Sequence, residues 1–409
     1  YYLAISNNYF FKIKYKKYFL IFLIIISIFG FIGYDFNLDG FLSYLLGVRS
    51  YWLYVPLFLI MIQLFNINDF KILLEKKLYF IFPYFILILL QAYLPDTNLI
   101  NSGFNSLVFN PERPSGYFTY TTQNTYYFIF LFACCYSTAL STINLSFSKL
   151  IYYSLLIFML LSIMILLKSR AVYLFTFTIS LYSLFFTIFF TKNNFLKFKR
   201  ISIIAIITPI LFLITQNIFK DDYDFSVKRI NSDTYYEFEL VKEYKDFKIP
   251  LVNKIVGSET KITVQDFCQK NSSLCRVVNE IYFIPIISKS SFIGHGIGSG
   301  TSAVSAFSKE KAFLHGESEN HRIVNELGYI VGTTLVLLKF FLVIIFNLFF
   351  LFKNKFKLEI SPFLVCISVQ MLIGAITYSA SFINFIFWFS LGIFFISFMD
   401  TNNLKRDHL

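Results

Sequence analysis

Three arginines stand beside long apolar runs: Arg49 in Gly47-Val48-Arg49-Ser50-Tyr51-Trp52, Arg113 in Pro111-Glu112-Arg113-Pro114-Ser115-Gly116-Tyr117, and Arg170 in Lys168-Ser169-Arg170-Ala171. An arginine at a membrane end is costly unless it pairs, binds a ligand or reaches the headgroups. Guanidinium grips phosphate through two parallel bonds and keeps its charge, so several on one face fit an anionic ligand. Each also has a local alternative. Arg49 can snorkel, Arg113 can pair with Glu112, and Arg170 can anchor to lipid headgroups.

A second dense cluster is His315-Gly316-Glu317-Ser318-Glu319-Asn320-His321-Arg322-Ile323-Val324-Asn325-Glu326-Leu327-Gly328. If 317–328 is helical, Glu317, His321 and Asn325 fall one turn apart and point a base, an acid and an amide at the membrane surface. The plainer alternative is a solvated, self-paired helix start capped by Ser318 or Glu319. Upstream, Gly294-His295-Gly296-Ile297-Gly298-Ser299-Gly300 has the look of a phosphate-cradling loop. It matches neither a Walker A nor a dinucleotide fingerprint, and a tight turn returning the chain to the membrane is the favoured role. Cys268 and Cys275 can close a small disulfide loop in an oxidising compartment or stand as two free thiols. Cys134, Cys135 and Cys366 read as small packing residues. With four His and no CxxC or HExxH spacing, no metal site is expected.

The elements that must position these residues are membrane helices. The chain is 56% hydrophobic and 15% charged, with mean hydropathy +0.63, outside the soluble globular range. Continuous apolar runs near 18–34, 51–66, 78–94, 123–142, 150–167, 171–190, 201–217, 328–352, 360–379 and 382–398 read as about ten transmembrane helices. An outer-membrane barrel is excluded because the runs do not alternate in period two. The fold class is therefore an all-α polytopic membrane protein. It divides into an N-terminal bundle over 1–217, a large loop over 218–322 and a C-terminal bundle over 323–409. Within the loop, 235–242 has the pattern of a short surface helix.

Much of the net charge of +12 sits in short connections. Lys12, Lys14, Lys16 and Lys17, the lysines near 71–77, Lys149, the cluster at 192–200, and Lys353, Lys355 and Lys357 all fall on one side. By the positive-inside rule that side is the cytoplasm. Both termini are then cytoplasmic, and the arginines share the outer face with the large loop. No basic stripe with interleaved stacking aromatics points to nucleic acid. The chain begins Tyr1-Tyr2 without methionine, which reads as a fragment, and its first apolar run reads as a span rather than a cleaved signal.

These features resemble the O-antigen polymerase and O-antigen ligase superfamily. The likeness rests on Gly47-Val48-Arg49-Ser50-Tyr51, Arg113-Pro114-Ser115-Gly116 before one span and Ser169-Arg170 opening another. It continues in a late outer loop ending in the Gly-rich 294–300 stretch and the Glu317-Ser318-Glu319-Asn320 … Glu326-Leu327-Gly328 block. Family members usually carry about two further spans before the first one here. The resemblance implies a GT-C-like glycosyltransferase of the bacterial inner membrane, acting on its outer face without a cofactor or metal. It would move a glycan from an undecaprenyl diphosphate carrier to an acceptor sugar. Arg49, Arg113 and Arg170 match the arginines that hold the diphosphate, with Arg322 a further candidate. His321, His315 or Glu319 would take the acceptor proton, and Tyr117, Tyr120 and Tyr126 could stack on sugar rings. Chain-length regulators and other polysaccharide-assembly proteins are the implied partners, beside membrane lipid.

A polymerase is favoured over a ligase, which would join the glycan to lipid A core or another acceptor. A transporter is the alternative of another class, since some relatives carry a bicarbonate-transporter label. A transporter should place ionisable or helix-breaking residues near mid-membrane. The spans here are mostly plain, apart from Lys339 and the Gly374 region.

Overall fold

A computed structural model describes residues 38–65, 67–94, 99–102, 114–118, 121–141, 147–190, 195–230, 263–270, 291–300, 319–352, 360–373 and 381–406, with scattered positions in 21–32 and 275–281. The regular structure among them is helical: α1 (Leu38–Trp52), α2 (Val55–Leu64), α3 (Ile67–Leu78), α4 (Ile81–Tyr93), α5 (Leu99–Ser102), α6 (Thr121–Ser141), α7 (Phe147–Leu166), α8 (Arg170–Phe190), α9 (Phe195–Ile218), α10 (Lys220–Ile230), α11 (Val264–Lys270), α12 (Glu319–Phe352), α13 (Ser361–Ile373) and α14 (Ser381–Arg406). Helices thus occupy the described parts of the apolar runs, and α1 and α3 add helix between them. Three stretches, Phe41–Ile62, Phe147–Leu166 and Glu319–Leu351, are long and apolar enough to cross a membrane. The first of these breaks between α1 and α2, where Pro56 has no N–H for the carbonyl of Trp52.

The outward faces identify the solvent. On α9, Ile206, Ile210, Leu213, Ile214 and Ile218 form one exposed stripe; on α8, Leu174, Phe177, Leu181 and Phe185 form another. On α12 the stripe is Ile330, Leu337, Phe341, Ile344 and Leu348. Steps of three, four and seven put each set on one helix face. Repeated exposed apolar stripes of this kind are foreign to a water-soluble surface and natural against lipid. Together with the three span-length helices, these stripes fit a membrane protein.

The chain forms two compact units that interleave along the sequence: 1–53, 227–343 and 370–381 in the first, and 54–226, 344–369 and 382–409 in the second. In the second, the middle of α6 and the whole end of α7 (Leu160 to Leu166) are buried, with Phe130 edge-on to Phe389. Polar bonds tie its helices together: Tyr182 donates to Asn347, whose amide donates to Ser368 at 2.9 Å. The short α3 buries Phe70, Leu74 and Leu78 one turn apart. The stretch read as a lysine-bearing cytoplasmic turn is therefore an amphipathic helix.

In the first unit, α12 is two helices rather than one. Gly328 has φ 78° and ψ 168°, outside the helical region. Lys339 Nζ nevertheless lies 2.8 Å from Asn320 Oδ1 across a sequence separation of 19. A straight helix would hold those residues about 28 Å apart. The segment 319–327 therefore folds back on the segment from Tyr329 onward, and a Cβ at Gly332 would strike Val324 Cα. The second arm, 329–352, is about 36 Å long, enough alone to span a bilayer.

Candidate functional site

The first arm of α12 carries the cluster singled out in the sequence, and the fold-back decides its surroundings. His321 is 2% exposed and Asn325 3%. On this arm His321 and Asn325 are neither presented at the surface nor solvated, while the self-pairing of the plainer reading holds for Arg322 and Glu326, four residues apart. The arm packs into protein, because the Gly328 break lays it against its own continuation. Ile323, Val324 and Leu327 form a fully buried core there with Tyr51, Ile297 and Val336.

Two polar clasps hold the arm. At its start, Lys339 Nζ lies 3.7 Å from Glu319 Oε1 and donates to Asn320. Lys339 is 4% exposed and Glu319 2%; the lysine sits on the inner stripe of α12 with Val336, Phe346 and Phe350. The Asn320 amide also donates to the carbonyl of Leu372 at 3.0 Å, near the end of α13. Toward the hinge, the buried Glu326 carboxylate accepts the Tyr51 hydroxyl at 2.9 Å and the Gly300 N–H at 3.1 Å. Arg322 Nε lies 3.8 Å from the same carboxylate, so the guanidinium is steered along the arm toward the hinge.

The Gly-rich loop completes the hinge. Breaking a helix frees carbonyls on one side and N–H groups on the other, and in lipid these must find protein partners. His295 N–H donates to the Asn325 carbonyl and Gly296 N–H to that of Glu326, each at 2.9 Å, while Tyr329 N–H donates to the Ser291 carbonyl at 3.1 Å. The loop thus caps both arms of α12. Its further amides are also committed: Ile297 N–H to the Gly30 carbonyl and Ser299 N–H to the Gly296 carbonyl. Gly298, at φ 92°, lies against the backbone of Ser43 and Gly47, where a side chain would overlap the α1 backbone. The favoured turn role accounts for this loop better than phosphate cradling does.

In the second unit, Arg170 is the first residue of α8; the Ser169 backbone carbonyl accepts the Val172 N–H at 3.1 Å, and its hydroxyl accepts from Thr125 at 3.2 Å. Lys168, at φ 50°, is paired with Asp222 at 2.9 Å and stands 4.9 Å from the Phe225 ring. The loop 114–118 is clamped from two helices. Gln91 accepts the Gly116 N–H at 2.7 Å and donates to its carbonyl at 3.2 Å; Asn124 donates to the Pro114 carbonyl at 3.0 Å and accepts from Tyr84 at 2.5 Å. This presents Tyr117, 47% exposed, beside Tyr84 and Tyr127, and burial of part of its ring raises the phenol pKa above the usual value. Tyr126 is different. It is 7% exposed and edge-on to Phe175, a core residue and not a platform for a sugar.

Of the residues marked in the sequence, Glu319, His321 and Arg322 share the first arm of α12. Arg49 is exposed in the last turn of α1 in the same unit, and Arg170 belongs to the second unit. Arg113, His315, Glu317, Tyr120 and the 235–242 segment lie outside the described residues. Cys268 and Cys275 are joined as a disulfide, their Cα atoms 5.0 Å apart, and both are buried. Among the described residues no group of three or more His, Cys, Asp and Glu is arranged to hold a metal ion. The sequence underrated Lys339, Tyr51 and Glu326. A lysine inside an apolar run was the one visible signal, and its partner 20 residues upstream was not. No family model, curated protein or solved structure matches this chain.

Proposed function

We propose that this chain is a polysaccharide-polymerase-type glycosyltransferase of about ten spans and GT-C-like architecture in a bacterial inner membrane. It moves a glycan from undecaprenyl diphosphate to an acceptor sugar on the outer face. The observation that carries the reading is the folded-back arm of α12, which follows the large hydrophilic loop and holds a buried histidine next to a half-buried arginine. The Cys268–Cys275 disulfide supports an extracytoplasmic loop, since such bonds persist in oxidising compartments.

In this reading the acceptor hydroxyl attacks the anomeric carbon and its proton passes to His321 or His315. The new C–O bond forms as the bond from that carbon to the diphosphate oxygen breaks, and a single displacement inverts the anomeric centre. The leaving diphosphate gains negative charge, which Arg322, Arg49, Arg113 and Arg170 are suited to neutralise. Glu319, already paired with Lys339, serves the arm's position rather than proton transfer.

The test is the glycan profile of cells lacking the gene, complemented with wild type, Arg322→Ala or Arg322→Lys. Loss of the polymer ladder with single repeats still attached supports a polymerase. Accumulation of lipid-linked polymer with no attached glycan means a ligase. Full activity in the alanine variant removes Arg322 from the diphosphate site. A transporter is the second reading. An ion pair about 15 Å along a spanning helix that is broken at its start is what such proteins use. An unchanged glycan profile would favour it.

A further inference from the structure

We infer that Lys339 is the positioning residue of the proposed reaction: it docks the re-entrant arm and thereby sets where His321 and Arg322 stand. The inference rests on the glycosyltransferase reading for its functional part only. A lysine on the inward stripe of an apolar helix is unfavourable without a partner, and here both partners, Glu319 and Asn320, come from the first turn of the arm. The arm is short and joined to the span only through Gly328, whose φ of 78° suits a hinge and resists a continuous helix. Its start is tied to Lys339 and, through Asn320, to the Leu372 carbonyl; its end is tied to Tyr51 and Gly300 through Glu326. His321 and Arg322 lie between the two ties. Without the Lys339 tie, the buried Glu319 carboxylate has lost its cation and the arm's first turn its anchor, while the hinge end stays held. Removing the lysine should therefore free the end of the arm that carries His321.

The experiment uses the full chain in native membranes, with Val324→Cys as a reporter on the arm. Val324 is fully buried, and a membrane-impermeant maleimide should label it slowly when the arm is docked. Lys339→Met should raise that labelling rate about tenfold or more, as expected when a local opening becomes easier. Lys339→Arg should leave it near wild type, and the swap Glu319→Lys with Lys339→Glu should restore it in part. If Lys339→Met does not accumulate, Glu319→Gln carries the same test, since it keeps the shape and removes the charge. An unchanged labelling rate in either variant overturns the docking role. Glycan transfer is read in parallel. Raised labelling with transfer intact in Lys339→Met but lost in Arg322→Ala overturns the positioning role. Transfer intact in both variants removes Arg322 from the diphosphate site and overturns the positioning role, whereas a glycan profile unchanged in cells lacking the gene defeats the glycosyltransferase reading while the docking result stands.

Discussion

The Tyr51–Glu326 bond gives the sharpest quantitative prediction. Glu326 is 1% exposed, and its carboxylate accepts the Tyr51 hydroxyl at 2.9 Å and the Gly300 N–H at 3.1 Å, with Arg322 Nε at 3.8 Å. Tyr51→Phe removes one donor from a buried charge and leaves the ring's packing against Ile297 and Val324 in place. A hydrogen bond to a charged group contributes about 1.5–3 kcal/mol, whereas neutral side-chain bonds between membrane helices average about 0.6 kcal/mol. Which magnitude applies depends on the charge, so the test varies the charge. In a Glu326→Gln background the amide oxygen can still accept the hydroxyl, but the bond is neutral, and Tyr51→Phe should cost only about 0.6 kcal/mol. In wild type it should cost about 1.5–3 kcal/mol. The coupling from the double-mutant cycle should then be about 0.9–2.4 kcal/mol. Reversible unfolding in mixed detergent micelles, followed by circular dichroism, gives the four free energies. Additivity within about 0.5 kcal/mol would mean that Glu326 is not a charged acceptor of Tyr51 and would dismantle the hinge clasp.

Gly298→Ala places a side chain at φ 92° against the α1 backbone and should destabilise the fold by about 2–5 kcal/mol; thermal unfolding in detergent measures it, and a shift below 1 °C would refute the close approach. Cys268 and Cys275 should react with a polymer-linked maleimide only after reduction, so a gel shift in unreduced membranes would contradict the disulfide. Lys168→Met should cost only about 0.5–1 kcal/mol, because the pair with Asp222 is 17% and 18% exposed and partly screened; a loss above 2 kcal/mol would show the turn to be more tightly coupled than its exposure implies.

Much of the helical layout was legible because lipid demands long apolar runs and every such run shows in one dimension. The apolar run over 150–167 folds as α7 and that over 171–190 as α8. Arg170 at the start of α8 follows the same local logic. What stayed hidden is nonlocal. In sequence, the run beginning at Gly328 reads as the start of a plain span, and the cluster before it as surface chemistry. Whether 319–327 continues the axis or folds back turns on one positive φ, which hydropathy does not register. The partner of Lys339 was equally invisible, since proximity over 19 or 20 residues exists only after the chain reverses. Tyr126 illustrates a smaller failure: Tyr117 and Tyr126 look alike in sequence, and only packing shows one at the surface and the other against Phe175.

The accounting of backbone groups at the hinge also bears on where an anion can bind. Glycine-rich loops take phosphate when their N–H groups are unpaired and converge. Here His295 and Gly296 N–H groups go to the carbonyls that end the first arm of α12, and Gly300 N–H goes to the Glu326 carboxylate. A phosphate entering this loop would have to displace those bonds, exposing the broken helix end and setting a second negative charge beside Glu326. Both effects oppose binding in a low-dielectric setting. The loop is therefore a structural cap. In the proposed reaction, recognition of the diphosphate falls to side-chain cations, with Arg322 the one whose position the hinge itself controls. Gly296→Ala should then impair transfer only as far as it loosens the arm, in step with Val324→Cys labelling. Loss of transfer with labelling unchanged would return the loop to the role of an anion site.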